Sequence, residues 1–189
     1  MNAWALRTDG AAQPLLWIDE WNLNSGRDPR HDTAEDAAFA AAALDWMLRG
    51  GLDRASFFNV EDSTDPNFNQ GMFFNRTGDG GPARPKPVFS TFEAWSRLED
   101  ERVALSVDPV PDLGVDGFEQ FLTQEDNVGG IATRSADGKR LTILLYNWSP
   151  RLKRRESLEV RVTGANGAVA PVALELDDAG TAFLDVALP

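Results

Sequence analysis

The sequence predicts a mixed architecture: a parallel α/β part up to residue 100, then an antiparallel all-β part. Three observations predict it. In the first half, short continuous apolar runs alternate with helical patterns, which is the strand–helix repeat of a parallel sheet. In the second half, apolar and polar residues alternate at period two, the mark of strands buried on one face. Asp-Gly and other turn signals separate those strands.

Leu15-Leu16-Trp17-Ile18 follows Pro14 as an unbroken apolar run, read as a strand buried on both faces. Asp19-Glu20-Trp21-Asn22 comes next, then a loop containing Asn24, Ser25, Gly26 and Pro29. Asp32 is the expected N-cap of a helix, with Glu35 three residues on. Residues 34–49 are rich in Ala and Leu and favour that helix, and Gly50-Gly51 ends it. Ala55 to Val60 is the second strand, and a polar, Gly-rich loop occupies 62–85. Pro87 opens a second helix without losing a hydrogen bond. Val88, Phe92 and Trp95 form its buried face, flanked by Phe89 and Leu98.

Beyond residue 100, Ile131-Ala132-Thr133 and Leu141 to Leu145 flank Asp137-Gly138, a hairpin signal. Leu158, Val160 and Val162 alternate with polar neighbours, as do Val172, Leu174 and Leu176, and Leu184, Val186 and Leu188. The pattern reads as an antiparallel β-sandwich. The expected division is residues 1–100 and residues 101–189.

Composition narrows the function classes. The chain has 189 residues and a net charge of −12. That charge repels phosphates and anionic lipid, so neither nucleic acid nor a membrane surface is an expected partner. There is no Cys, which excludes disulfides, thiolate nucleophiles and Cys-ligated zinc. The single His31 builds neither a His-rich metal site nor a His-based triad. Its place before the helix start assigns it a structural role. No metal or organic cofactor is expected. Met1 to Arg7 has no apolar core of a signal peptide, and Leu15 to Ile18 is too short to span a membrane. Arg151, Lys153, Arg154 and Arg155 read as a solvated loop. Asp65 to Asn69 lacks the spacing of a calcium loop.

Glu20 is the first candidate for chemistry. It ends an apolar strand of parallel type, and in a (β/α)₈ barrel that end faces the active site. A carboxylate there can attack an anomeric carbon and form a glycosyl-enzyme intermediate. Asn22 can position a sugar hydroxyl, and Trp21 can shape the pocket.

Leu16-Trp17-Ile18-Asp19-Glu20-Trp21-Asn22, followed by His31-Asp32-Thr33 opening an Ala-rich helix, resembles glycoside hydrolase family 39, which contains β-xylosidases and α-L-iduronidases. Ser56 to Asp62 resembles its eighth barrel strand, and Lys86-Pro87-Val88-Phe89 the start of its final barrel helix. Leu144-Leu145-Tyr146-Asn147-Trp148 resembles a strand of the β-sandwich that follows the barrel. The resemblance implies a fold of class α/β plus all-β: the last two βα units of a (β/α)₈ TIM barrel, then an antiparallel β-sandwich. It implies a retaining, xylosidase-like glycosidase with Glu20 as nucleophile, acting on a carbohydrate. Phe58 stands where the family usually has Trp, able to wall the sugar site but not to donate a hydrogen bond. Glu61 lies near acids that contact substrate in the family; a loop-capping role is the other reading.

The family's general acid/base is a Glu after Asn on the fourth barrel strand, and no part of this chain matches that strand. A full barrel takes about 250 residues, so residues 1–100 correspond to its last quarter. The expectation is therefore a portion that carries the nucleophile, lacks the acid/base and is inactive alone. Its expected partner is an N-terminal barrel segment, or another copy joined through exposed strand edges. Family 51 arabinofuranosidases, of the same clan, also use an Asp-Glu-Trp-Asn strand; the His-Asp-Thr and Lys-Pro-Val-Phe motifs favour family 39. The alternative from a different class is a non-catalytic module that binds glycan or associates with a partner chain.

Overall fold

A computed structural model describes residues 15–65, 67–75, 82–106, 128–148, 155–164 and 169–189. The chain start and most of the basic run at 151–155 lie outside the described residues. In order, the elements are β1 (Trp17–Trp21), α1 (Ala34–Arg49), β2 (Arg54–Phe57), β3 (Phe73–Phe74), β4 (Arg84–Pro85), α2 (Pro87–Trp95), β5 (Glu101–Val103), β6 (Val128–Arg134), β7 (Arg140–Asn147), β8 (Glu156–Val160), β9 (Val172–Leu176) and β10 (Thr181–Ala187).

Strands β1 and β2 pair in parallel, with α1 as the crossover. The other described pairings between strands are antiparallel: β10-β7-β6-β5 forms one sheet, and β8-β9 and β3-β4 form two-stranded ribbons. The hairpin at Asp137-Gly138 joins β6 to β7 as expected.

Helix α1 has the expected bounds, but its cap is one residue later than expected. Thr33, in extended conformation, accepts from the Glu35 amide at 3.2 Å. Asp32 cannot cap because its carboxylate is engaged by Lys86 at 2.7 Å. Gly51 closes the helix at φ 74°, a left-handed conformation that disfavours a Cβ.

The alanines of α1 explain the layering. Ala38, Ala41 and Ala42 pack with Ala94, Leu144, Tyr146 and Trp148, while Ala40 packs toward Trp21 and Val88. Small side chains let one helix lie close to the four-stranded sheet on one side and to β1, β2 and α2 on the other. Thr91 of α2 donates to the Ala37 carbonyl at 2.9 Å, an approach the same small residues allow. Strand β7 is covered on both faces: Leu144 and Tyr146 meet the helices, and Leu141, Ile143 and Leu145 join the cluster holding Leu176, Leu158 and Val160 of β8–β9. On α2 the buried positions are Val88, Thr91 and Ala94, with the expected Phe92 and Trp95 only half-covered.

The first strand departs from its prediction. Leu15 and Trp17 are 69% and 60% exposed, so the run is covered on one face only. On the other face the Arg54 guanidinium lies 5.7 Å from the centre of the Trp17 ring, and an apolar run by itself does not distinguish one buried face from two.

One buried charge ties α1 to the antiparallel sheet. The Asp45 carboxylate accepts from Arg49 and Arg102, both at 3.0 Å, and from the Tyr146 hydroxyl at 3.1 Å. Burial pushes Asp45 up, against the pull of its arginine partners, and burial beside that carboxylate pushes Tyr146 well up too. Removing Tyr146→Phe withdraws one buried donor and should lower unfolding free energy by about 1–2 kcal/mol. Asp45→Ala leaves the hydroxyl and two guanidinium groups without their acceptor and should cost about 3 kcal/mol. Urea denaturation followed by both tryptophan fluorescence and far-UV circular dichroism checks the two values; similar losses from both variants would mean that the carboxylate is not the organising group.

Candidate active site

Glu20 stands on β1 one residue from its C-terminal end, and it is exposed. The register explains its placement. Ile18 pairs with Ala55 and Trp21 with Phe57, so Asp19 and Glu20 together lie opposite the single residue Ser56. This is a bulge, and bulges re-aim side chains at strand ends. It lets Ile18 and Trp21, three residues apart, face the same helix-covered side. Strict alternation would have put one of them on the other face.

That placement corrects the expectation for Trp21. It is only 9% exposed, with Phe57 edge-on at 5.1 Å and Phe39 and Phe92 at 6.3 and 6.2 Å. The ring belongs to the core beneath the strand. A 3.6-period helix face needs an apolar partner above it, and the bulge supplies Trp21 for that purpose.

Asn22 is committed to the backbone. Its amide nitrogen donates to the Phe58 carbonyl and, at 2.8 Å, to the Gln70 carbonyl. Its oxygen accepts from the Leu23 amide. It braces the ends of β1 and β2 together. Phe58 directly follows β2, is 36% exposed, and donates its amide to the Trp21 carbonyl at 2.9 Å. Glu61 is half-buried and forms a parallel bridge with Phe73.

The segment 69–73 lies against both strand tails. Asn59 donates to Gln70 at 3.1 Å and Met72 donates back to Asn59 at 3.0 Å. The Gln70 side chain donates to the Asn24 carbonyl at 2.8 Å, and Asn69 donates to the Asp28 carbonyl at 2.8 Å. Gly71 is required here: a Cβ would meet the Asp62 nitrogen at 2.3 Å. His31 is buried, with Nδ1 3.2 Å from the Asn69 side-chain oxygen, which fits the structural role assigned to it.

The buried charges around these loops leave no mark in the local sequence pattern. Lys86 is fully buried between Asp32 and Asp62. Asp36, third residue of α1, is also fully buried, and neither of its carboxyl oxygens has a hydrogen-bond partner among the described residues. Burial pushes its pKa up to about 7; Lys86 opposes this, and Asp32 and Asp28 add to it. Asp28, by contrast, is held well below the usual carboxylate range by its hydrogen bond from Arg30. No group of His, Cys, Asp or Glu suited to holding a metal ion is found among the described residues. Nor is any helix among them long and apolar enough to cross a membrane.

No protein-family model matches the sequence, and no curated protein does. Solved structures are similar in fold. One is a family 51 α-L-arabinofuranosidase from Bifidobacterium longum, with a TM-score of 0.50 and 14% identity, covering 95% of this chain and 41% of that chain. Two others are the α-L-arabinofuranosidase from Thermotoga maritima in its arabinose complex (TM-score 0.49, 16% identity, 90% and 40% covered) and the thermostable family 51 enzyme from Thermotoga petrophila (0.46, 14%, 91% and 41%). The chain thus spans about two fifths of the length of each. Two of the three are named as family 51, the family set second to family 39 on motifs.

The Asp36 pKa carries a pH dependence. An unfolded Asp releases its proton near 3.8 and the folded one near 7. Between those values the native state binds more protons, so stability falls as pH rises and levels off above 7. Asp36→Asn removes that slope. Its advantage over the wild type should be absent near pH 3.8 and grow to on the order of 4 kcal/mol at neutral pH. Urea midpoints measured from pH 4 to pH 8 check it; parallel curves for the two proteins would mean that Asp36 does not stay protonated.

Proposed function

We propose that this chain is the nucleophile-bearing portion of a retaining glycosidase of the clan that families 39 and 51 share, with pentosides as the substrate class. The observation that carries the reading is the exposed carboxylate of Glu20, bulged out at the C-terminal end of a parallel strand. The similarity in fold to an arabinofuranosidase supports it. In this reading residues 1–100 belong to a (β/α)₈ barrel and residues 101–189 to an accessory β-sandwich.

The chemistry follows from the carboxylate. Glu20 attacks the anomeric carbon, the bond to the leaving oxygen breaks, and a glycosyl ester forms; water then cleaves the ester with net retention. Phe58 and Glu61 stand on the tail of the neighbouring strand and are the proposed sugar contacts. Asn22 acts one step back, holding that tail against Glu20's strand. The leaving oxygen needs a proton donor about 5 Å from the nucleophile. The resemblance places it on the fourth barrel strand, which none of these residues matches. The exposed Leu15 and Trp17 then face the remainder of the barrel, and that apolar strand face favours association over a free-standing glycan-binding module.

A dinitrophenyl 2-deoxy-2-fluoropentoside separates nucleophile from acid, because its leaving group departs without a proton. The 189-residue chain should be esterified by this reagent at Glu20, as read by peptide mass spectrometry, and Glu20→Gln should not be. Ordinary alkyl and aryl xylosides and arabinofuranosides should be turned over only when a polypeptide supplying the earlier barrel strands is added. Label on another residue would remove Glu20 from its role. Turnover by the chain alone, lost on Glu20→Gln, would keep Glu20 and overturn the need for a further donor.

A further inference from the structure

Lys86 is a lysine with no solvent-exposed side chain, and lysine is rarely buried unless paired. Its three ammonium donors meet three acceptors: Asp62 Oδ1 at 2.6 Å, Asp32 Oδ1 at 2.7 Å and the Asn69 carbonyl at 2.7 Å. Its Nζ also lies 5.1 Å from the centre of the Phe74 ring. Its backbone amide donates to the Met72 carbonyl at 2.8 Å. The three acceptors come from three different segments. Asp32 ends the turn before α1, Asp62 lies beyond β2, and Asn69 lies in the loop before β3. Lys86 itself precedes α2.

Such a node is a poor device for stability alone, since an apolar side chain of similar volume often serves as well. What a fully satisfied ammonium adds is direction, because each donor must point at its acceptor. Those directions lead toward the candidate nucleophile. Lys86 fixes the Asn69 carbonyl; the next residue, Gln70, accepts from Asn22 at 2.8 Å and donates to Asn24 at 2.8 Å. Asn22 is two residues beyond Glu20.

We propose that Lys86 is a positioning residue: it sets the place of segment 69–72 and, through Asn22, fixes the strand end on which Glu20 stands. Its kinetic consequence rests on the reading of Glu20 as nucleophile; its geometric consequence does not.

Two readouts on the 189-residue chain separate these consequences. The first is the Asn22 side-chain amide in nitrogen-15 NMR. In Lys86→Met its hydrogen exchange should accelerate, while the backbone amides of Ile131 and Leu144, in the antiparallel sheet, keep their protection. The second is Glu20 labelling by the dinitrophenyl fluoropentoside. The limiting labelling rate should fall by about a hundredfold, as for a misplacement of about 1 Å, with little change in half-saturating reagent. Should Lys86→Met not fold, Asp62→Asn, which keeps an acceptor but removes one charge, decides in its place, with the same directions and smaller effects. An Asn22 amide that stays protected in a folded variant overturns the proposal, as does an unchanged limiting rate in a chain whose Glu20 is labelled. Absence of label in the wild-type chain would sink the nucleophile reading alone, and the amide would then decide the role of Lys86.

Discussion

Helix α1 carries alanine at 37, 38, 40, 41 and 42, all of them buried. A helix with so little bulk on its inner surfaces can be approached from two sides, and here it is. The antiparallel sheet meets it through Leu144, Tyr146 and Trp148. The parallel pair and α2 meet it through Trp21 and Val88. The orientation of β1 therefore depends on this helix, because Trp21 has to reach down to it. The bulge at Asp19 and Glu20 is the backbone adjustment that permits this, and it is also what leaves Glu20 outward. The burial of Trp21 below the strand and the exposure of Glu20 above it are thus two outcomes of one extra residue.

Three fully buried charged residues of the first half differ in how they are satisfied. Asp45 has two guanidinium partners and a tyrosine hydroxyl. Lys86 has an acceptor for each donor. Asp36 has no hydrogen-bond partner among the described residues and is driven toward its neutral form instead, the usual outcome when a carboxyl is desolvated without compensation. Asp45 joins the helix to the second sheet, whereas Lys86 joins the loops at the strand ends. The two nodes hold opposite ends of one helix.

The candidate site is accordingly a strand end held by backbone ties. Asn22, Gln70 and Asn69 spend their side chains on carbonyls of neighbouring segments, and Gly71 lets two segments come within contact of each other. Loops that carry reacting groups gain precision when their backbone groups are satisfied internally. Among the groups left outward are Glu20 on β1 and Phe58 just beyond β2.

Much of this was legible in the sequence, and the legible part has a common physical basis. Helix α1, the hairpin at Asp137-Gly138 and the alternating strands β9 and β10 follow from local periodicity and turn chemistry, which are properties of neighbouring residues. So does the placement of Glu20 near the end of a parallel strand. Other features depended on segments that meet only in the folded chain. Trp21 could not be assigned to the core without the bulge, which exists only in the pairing of β1 with β2. Asp32 looked like a helix cap and is instead a partner of Lys86, 54 positions along the chain. Nothing local to Lys86 marks it as buried, since a lone lysine between two prolines reads as solvent-exposed. The sequence by itself determined the two helices, the principal strands and the candidate nucleophile, but not the short strands β3, β4 and β5, the first two of which lie in the stretch read as a loop. Only the tertiary structure decided which polar side chains were left exposed, because hydrogen-bond and ion partners distant in sequence claim them first.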